Sequence, residues 1–273
     1  MSTRCALLCA LLFIATPTLA RVIGDDGRRP PDASDGDVLR ALGLVFCNSM
    51  IDGRPRRSAG TATLVGSNTT VLTAAHVFTD EAGRNGPFVR FDPVKDCVFR
   101  QFDANSEPIV ELAFVQVEMG AYWDNAARPN QDWAVLRLAN PPPSAAFALP
   151  LALANNAIDD LDGLAIKMLA YHIDVEGGRR SPLRSDGELF GIDYGGFYRL
   201  AHTADSGRMS SGAAIIHTTR DGEDIVVGVN RSSANLRDFN LAVPLSVELA
   251  EILKSFAFGE VPTRRQRIAA NGR

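Results

Sequence analysis

Apolar and polar positions alternate with a period of two through most of this chain, the pattern of strands that bury one face. Between Gly60 and Phe78, Thr61, Thr63 and Val65 alternate with Ala62 and Leu64. Gly66, Ser67 and Asn68 supply turn chemistry, and Val71, Leu72 and Thr73 resume a strand that runs through Ala74 and Ala75 to His76. Further strand-like runs are Leu39 to Cys47, Phe88 to Phe91, Cys97 to Phe102, Ile109 to Val117 and Asp132 to Leu138. Asn140-Pro141-Pro142-Pro143-Ser144 then breaks regular structure and reads as a connector. Beyond it the same style returns at Leu164 to His172, Leu189 to Ile192, Phe197 to Ala201, Gly212 to His217, Ile225 to Val229 and Phe239 to Val243. Only Ser246 to Phe256 has helical period, with Val247, Leu249, Ile252 and Leu253 on one face and Ser246 as N-cap. Many short strands in two halves, closed by one short C-terminal helix, predict an all-β protein of two packed antiparallel β-barrels.

The 273 residues are enough for two modest domains with real cores. Residues 1–20 have the form of a secretory signal. Arg4 gives the positive start, the apolar run from Cys5 to Ala15 is too short to span a bilayer, and Thr18-Leu19-Ala20 is an acceptable cleavage end. The other reading, a buried N-terminal helix, is opposed by Pro17 and the polar residues that follow. The expected organisation is a flexible leader at 21–38, a first barrel at 39–140 and a linker at 141–147. A second barrel with its helix follows at 148–258, then a tail at 259–273. A secreted or periplasmic location follows from the signal.

Removing the signal leaves two cysteines, Cys47 and Cys97, expected as one disulfide; two buried free thiols are the alternative. Net charge is −4 and becomes about −5 once Arg4 is gone, with no concentrated basic face. Nucleic acid and membrane are therefore not expected partners, and a monomer is expected.

Acyl transfer by a nucleophile needs an activated hydroxyl, a base to take its proton and a group that fixes the base's tautomer. His76, just after a buried strand and flanked by small residues, is the base. Asp132 opens the strand Asp132-Trp133-Ala134-Val135-Leu136-Arg137-Leu138, which puts a carboxylate at a barrel rim. The hydroxyl lies in Asp205-Ser206-Gly207-Arg208-Met209-Ser210-Ser211-Gly212-Ala213, where Ser211, Ser210 and Ser206 compete.

Thr73-Ala74-Ala75-His76 resembles the histidine motif of trypsin-like serine proteases, and Asp132-Trp133-Ala134 resembles their aspartate motif. Asp205, Ser206, Ser211, Gly212 and Ala213 match the pattern around their nucleophile. The resemblance implies the chymotrypsin-like two-barrel fold and a His76, Asp132, Ser211 triad. It also implies an oxyanion site from the amides of Met209 and Ser211, and no cofactor or metal. Met209 stands where the family has glycine, so a Cβ could turn that peptide away. The resemblance is nearest to the bacterial secreted, glutamyl-endopeptidase-like group, which likewise lacks a cysteine after the histidine; Val77 stands there. In that group a histidine after the nucleophile helps read a substrate glutamate, and Asn230 takes its place here. Asp205 falls at the position that in trypsin itself attracts Arg or Lys. Asp205 and Asn230 are thus the candidate substrate-binding residues. Arg21-Val22-Ile23-Gly24 resembles a zymogen cleavage site, but Ser210 replaces the aspartate that would pair with the freed amine.

His172, His202 and His217 lack metal-ligand spacing and read as ordinary histidines. The expected function is a secreted serine endopeptidase acting on protein or peptide substrates through an acyl-enzyme. Gly-x-Ser-x-Gly is absent, and the order His, Asp, Ser is wrong for an α/β-hydrolase. The alternative is a catalytically impaired, protease-like binding module.

Overall fold

The computed structural model of the chain describes residues 22–81, 88–103, 107–120, 129–143, 147–149, 161–175, 181–194, 197–233 and 238–259. The expected signal and nearly all of the expected tail lie outside these residues.

In the first half, helix α1 (Gly36–Ala41) leads into strands β1 (Leu42–Ile51), β2 (Arg54–Leu64) and β3 (Thr70–Thr73). The paired strands β4 (Thr79–Glu81) and β5 (Phe88–Arg90) and helix α2 (Pro93–Asp96) follow. Then come β6 (Cys97–Phe102), β7 (Pro108–Met119) and β8 (Ala134–Leu138). The second half holds β9 (Ala165–Ala170), β10 (Leu183–Tyr194), β11 (Phe197–His202), β12 (Ala214–Thr218), β13 (Asp224–Ser233), β14 (Asn240–Pro244) and helix α3 (Val247–Phe258). Antiparallel pairing closes two six-stranded barrels, in the orders β1-β2-β3-β8-β7-β6 and β10-β11-β14-β13-β12-β9. Closure leaves neither barrel with a free edge.

Each barrel has its own core. Ile166, Met168, Leu189, Leu200 and Ile215 fill the second, while Val45, Leu64, Leu72, Phe99, Phe114 and Leu136 belong to a larger cluster centred on the first. Ser246 caps α3 by accepting the Leu249 amide, as expected. The buried stripe of α3 is Leu249, Ala250, Leu253 and Phe256, and Val247 is left half exposed. The stripe is rotated from the expected one because Phe256 packs under the Arg137 guanidinium of β8, drawing the helix onto the first barrel. Cys47 and Cys97 face each other across β1 and β6 and are joined by a disulfide.

Three boundaries differ from expectation. Residues 39–41 are helical, because Val38 and Ala41 bury together three positions apart while Leu39 faces outward. Leu149 belongs to the first barrel, where its amide donates to Leu64 and its carbonyl accepts from Gly66. The leader is not loose. Arg29 and Arg184 exchange both backbone hydrogen bonds, adding a bridge beside β10. Arg28, its side chain 4% exposed, holds Asp26 at 2.8 Å and Asp174 at 2.9 Å. Fully buried Asp35 meets Lys167 and Arg184, each at 3.1 Å, and Lys167 also holds Asp224 at 2.7 Å. In a stretch whose composition reads as solvated, Arg28, Arg29, Asp32 and Asp35 each find a charged partner on the second half of the chain. Buried ions of this kind persist only when fully paired.

Candidate active site

β3 delivers its chain into a short 3-10 turn, Ala75–Phe78, that carries His76 at the rim of the first barrel. The buried Ala74 and Ala75 leave room for the ring. Asp132, 1% exposed, lies two residues before the start of β8, and the buried Trp133 and Val135 fix that strand. Because β3 and β8 pair in the register Thr73↔Ala134, the strand end before His76 lies beside the strand start after Asp132. The carboxylate grips the histidine twice: Oδ2 is 2.9 Å from Nδ1, and Oδ1 accepts the His76 amide at 2.9 Å. A carboxylate at Nδ1 places the proton there and leaves Nε2 as the free base. Burial works to raise the Asp132 pKa, but the neighbouring His76 and the Arg231 guanidinium hold it below the ordinary carboxylate value. The ring itself is 27% exposed and so open to a ligand.

Arg231 has no counterpart in the sequence expectations. It lies in β13 at an irregularity in the pairing with β14, between Asn230 and Ser232. Its Nε donates to Asp132 Oδ2 at 3.0 Å, and its carbonyl accepts the Ser211 hydroxyl at 3.0 Å. One residue therefore links the serine to the aspartate that holds the histidine. Nothing in a lone arginine between Asn230 and Ser232 marks it, since the strand bulge that turns it inward is a tertiary feature.

The loop from Asp205 to Ala213 separates the competing hydroxyls. Ser206 and Ser210 are fully buried and 2.6 Å apart, and the Ser210 hydroxyl donates to the Gly207 carbonyl. Asn230 Nδ2 lies within 3.1 Å of both hydroxyls and of the Ser210 carbonyl. Its Oδ1 takes the remaining bond from His202 Nε2, which makes that nitrogen the protonated one. Burial pushes the His202 pKa down to about 4, so the ring stays neutral. Asn230 is thus the buried hub of the loop and does not face a substrate, contrary to the reading from sequence. Ser211 alone of the three serines reaches the surface.

The backbone around Ser211 is tightly determined. Gly212 has φ +87°, and a Cβ there would stand 2.1 Å from Thr73 Oγ1 and 2.3 Å from the Thr61 carbonyl. Met209 adopts φ +78°, the left-handed conformation of the glycine it replaces. Its carbonyl is clamped by both the amide (2.9 Å) and the hydroxyl (2.8 Å) of Thr61. Its side chain packs against the main core cluster, which offsets the cost of about 1–2 kcal/mol for that conformation. The preceding carbonyl, of Arg208, accepts the Ile173 amide at 3.0 Å. In a trans peptide that fixes the Met209 N–H in the opposite direction. Among the described residues neither the Met209 nor the Ser211 amide has an acceptor. The concern that a Cβ would turn this peptide away is answered by a chain that takes the glycine conformation regardless.

Asp205, expected at the substrate, is committed elsewhere. Its two oxygens accept the amides of Ile23 at 2.6 Å and Gly27 at 2.7 Å. The leader so held tucks Arg28 beneath Gly207, where a Cβ would meet the Arg28 guanidinium at 2.4 Å. Beside it His172 is buried, and burial together with the Arg28 cation pushes its pKa down to about 4. His217 points its Nδ1 at the Ala165 carbonyl, far along the second barrel.

A family model described as "Trypsin-like peptidase domain" matches residues 60–229. No curated protein sequence matches the chain. Among solved structures, a Glu endopeptidase in complex with MPD aligns with TM-score 0.64 and 18% identity, covering 86% of this chain and 99% of that one. Protease Anisep from Arthrobacter nicotinovorans aligns with TM-score 0.59 and 14% identity, covering 82% and 98%. A thermostable serine protease, AL20, from an extremophilic microorganism aligns with TM-score 0.57 and 18% identity, covering 82% and 98%. At these identities the likeness is one of fold.

Proposed function

The chain belongs to the trypsin-like peptidase domain family, and on that footing we propose that it is an exported serine endopeptidase. Ser211 attacks the scissile carbonyl of a protein or peptide chain. His76 Nε2 takes the hydroxyl proton and returns it to the leaving amine, and Asp132 holds Nδ1–H throughout. The oxyanion is met by the amides of Met209 and Ser211, worth on the order of 10²–10³ in turnover for each donor. Water then repeats the cycle on the acyl-enzyme. In the resting chain the Ser211 hydroxyl donates to Arg231, so attack begins with a rotation about its Cα–Cβ bond onto His76 Nε2. The observation that carries this reading is the double contact of the Asp132 carboxylate with ring and amide of His76. Export rests on the signal-like residues 1–20, and the Cys47–Cys97 disulfide suits an oxidising compartment.

The test is labelling with a fluorophosphonate. Label on the folded protein, lost in Ser211→Ala, is the expected result. A second reading, a protease-like binding module, is favoured by the serine hydroxyl resting on a carbonyl and by the cation on Asp132. Folded protein that takes no label supports that reading instead.

A further inference from the structure

Beside Met209 the first barrel opens into a cleft of ≈ 620 Å³. Three of its lining residues are Arg57, Arg100 and Arg208, and none is acidic. Arg100 lies 4.3 Å over the Phe46 ring and is paired at 2.7 Å with Glu111, itself 55% exposed. Arg57 and Arg208 are exposed, and neither forms an ion pair with any described residue. Unpaired guanidinium groups over a partly apolar floor make a site for a carboxylate on an otherwise uncharged chain.

The cleft lies on one side of the reaction centre. Its Ser58 donates to the Val77 carbonyl at 2.6 Å, and its Thr79 donates to the His76 carbonyl at 2.5 Å. It therefore borders the turn that carries His76. The group that leaves an acyl-enzyme receives its proton from the histidine, so the departing half of a substrate lies on that side of Ser211.

We infer that this cleft is a specificity subsite for an Asp or Glu side chain downstream of the scissile bond, recognised by Arg57 and Arg208 with Arg100 behind them. The inference rests on the endopeptidase reading, and its test separates the two. Internally quenched peptides share one sequence before the scissile bond and carry Glu or Gln at each of the three positions after it. The ratio of kcat/KM for Glu over Gln is expected to be about three- to tenfold at one of those positions, the size of one or two exposed ion pairs. It falls toward unity at about 1 M salt, where screening acts within about 3 Å. It also falls in Arg57→Gln/Arg208→Gln, whereas Arg54→Gln, at the far end of β2, keeps the wild-type ratio. Cleavage with a ratio of one at every position overturns the subsite and leaves the endopeptidase standing. If no peptide is cleaved, the same Glu and Gln peptides, fluorescently labelled, are bound to the protein and followed by anisotropy. Equal affinity overturns the subsite, and a Glu preference lost in the double variant supports it. Displacement by heparin with no dependence on where the Glu stands marks a general polyanion surface and overturns it too.

Discussion

The guanidinium of Arg231 shares an oxygen of Asp132 with the ring of His76: Arg231 Nε and His76 Nδ1 lie 3.0 and 2.9 Å from the same Oδ2. A cation there offsets part of the negative charge that steadies an imidazolium during attack. Replacing it by Arg231→Gln restores that charge to the developing imidazolium and keeps the main-chain carbonyl that accepts the Ser211 hydroxyl. Turnover of a small ester at one fixed alkaline pH is expected to rise about two- to fivefold, with KM nearly unchanged. An unchanged rate means that the cation is screened or displaced in the working enzyme.

Met209 holds a glycine conformation, so the two directions of substitution differ. Met209→Gly removes about 1–2 kcal/mol of backbone strain but gives up side-chain packing and adds freedom to the unfolded chain. Its urea stability is expected within about 1 kcal/mol of the parent. Met209→Val places a β-branched residue where such residues are least tolerated. The amide is expected to swing out, with kcat down about 10²-fold and KM nearly unchanged. A parent-like kcat for the valine variant would place the oxyanion donors elsewhere.

Asp205 anchors the leader, and Asp205→Asn keeps its shape but turns one of its two acceptor oxygens into an N–H donor, so one amide loses its acceptor and the other bond loses its charge. A cost of about 2 kcal/mol in global stability is expected. The amides of Ile23 and Gly27 should then exchange with deuterium well before those of the barrel strands. Cleavage after Arg or Lys should show no selective loss. A variant that specifically loses such substrates, with the two amides still protected, would return Asp205 to the substrate.

His172 and His202 remain neutral in the folded protein down to about pH 4, whereas in the unfolded chain they take up protons below about pH 6.5. The unfolded state therefore gains protons as pH falls through that window. The contribution of these two rings is complete above about pH 7 and declines between about 6.5 and 4, below which carboxylates held low, such as Asp132, continue the loss. The displacement corresponds to about 3 kcal/mol for each ring. Urea midpoints from about pH 7 to about pH 4 measure it, and His202→Gln, which keeps a donor for Asn230 Oδ1, should remove about half of the slope. A flat wild-type profile would mean that both rings reach solvent.

The barrels were legible because short apolar runs are set apart by turn residues; strict alternation of burial holds in β6, whereas β3 is buried at every position and β9 at all but its first. The His76 and Asp132 positions were legible because both stand beside strand ends flanked by small or aromatic core residues. The turn at Gly212 was legible for a similar reason: only glycine fits against Thr61 and Thr73. Polar residues were read less well. Asn230 and Asp205 were assigned to a substrate because composition cannot tell a carboxylate or amide that waits for a ligand from one already saturated by its own chain. Asp35, Lys167 and Arg184 show the same limit, since charges that look solvated in a string become a buried cluster once their partners arrive from another barrel. Arg231 was missed because its inward aim comes from a bulge in β13, which no local pattern announces.

The amide of Ile23 finds its acceptor on a residue 182 positions later. During biosynthesis the segment that emerges first is thus among the last to find its seat, since β9 to β11 must exist before Asp205 is in place. Contacts this distant in sequence form slowly and late. The loop around Ser211, underpinned by Arg28, acquires that support only once the chain has been made past Asp205 and the second barrel has closed. A chain cut short before Asp205 would carry His76 and Asp132 and leave the leader without its seat.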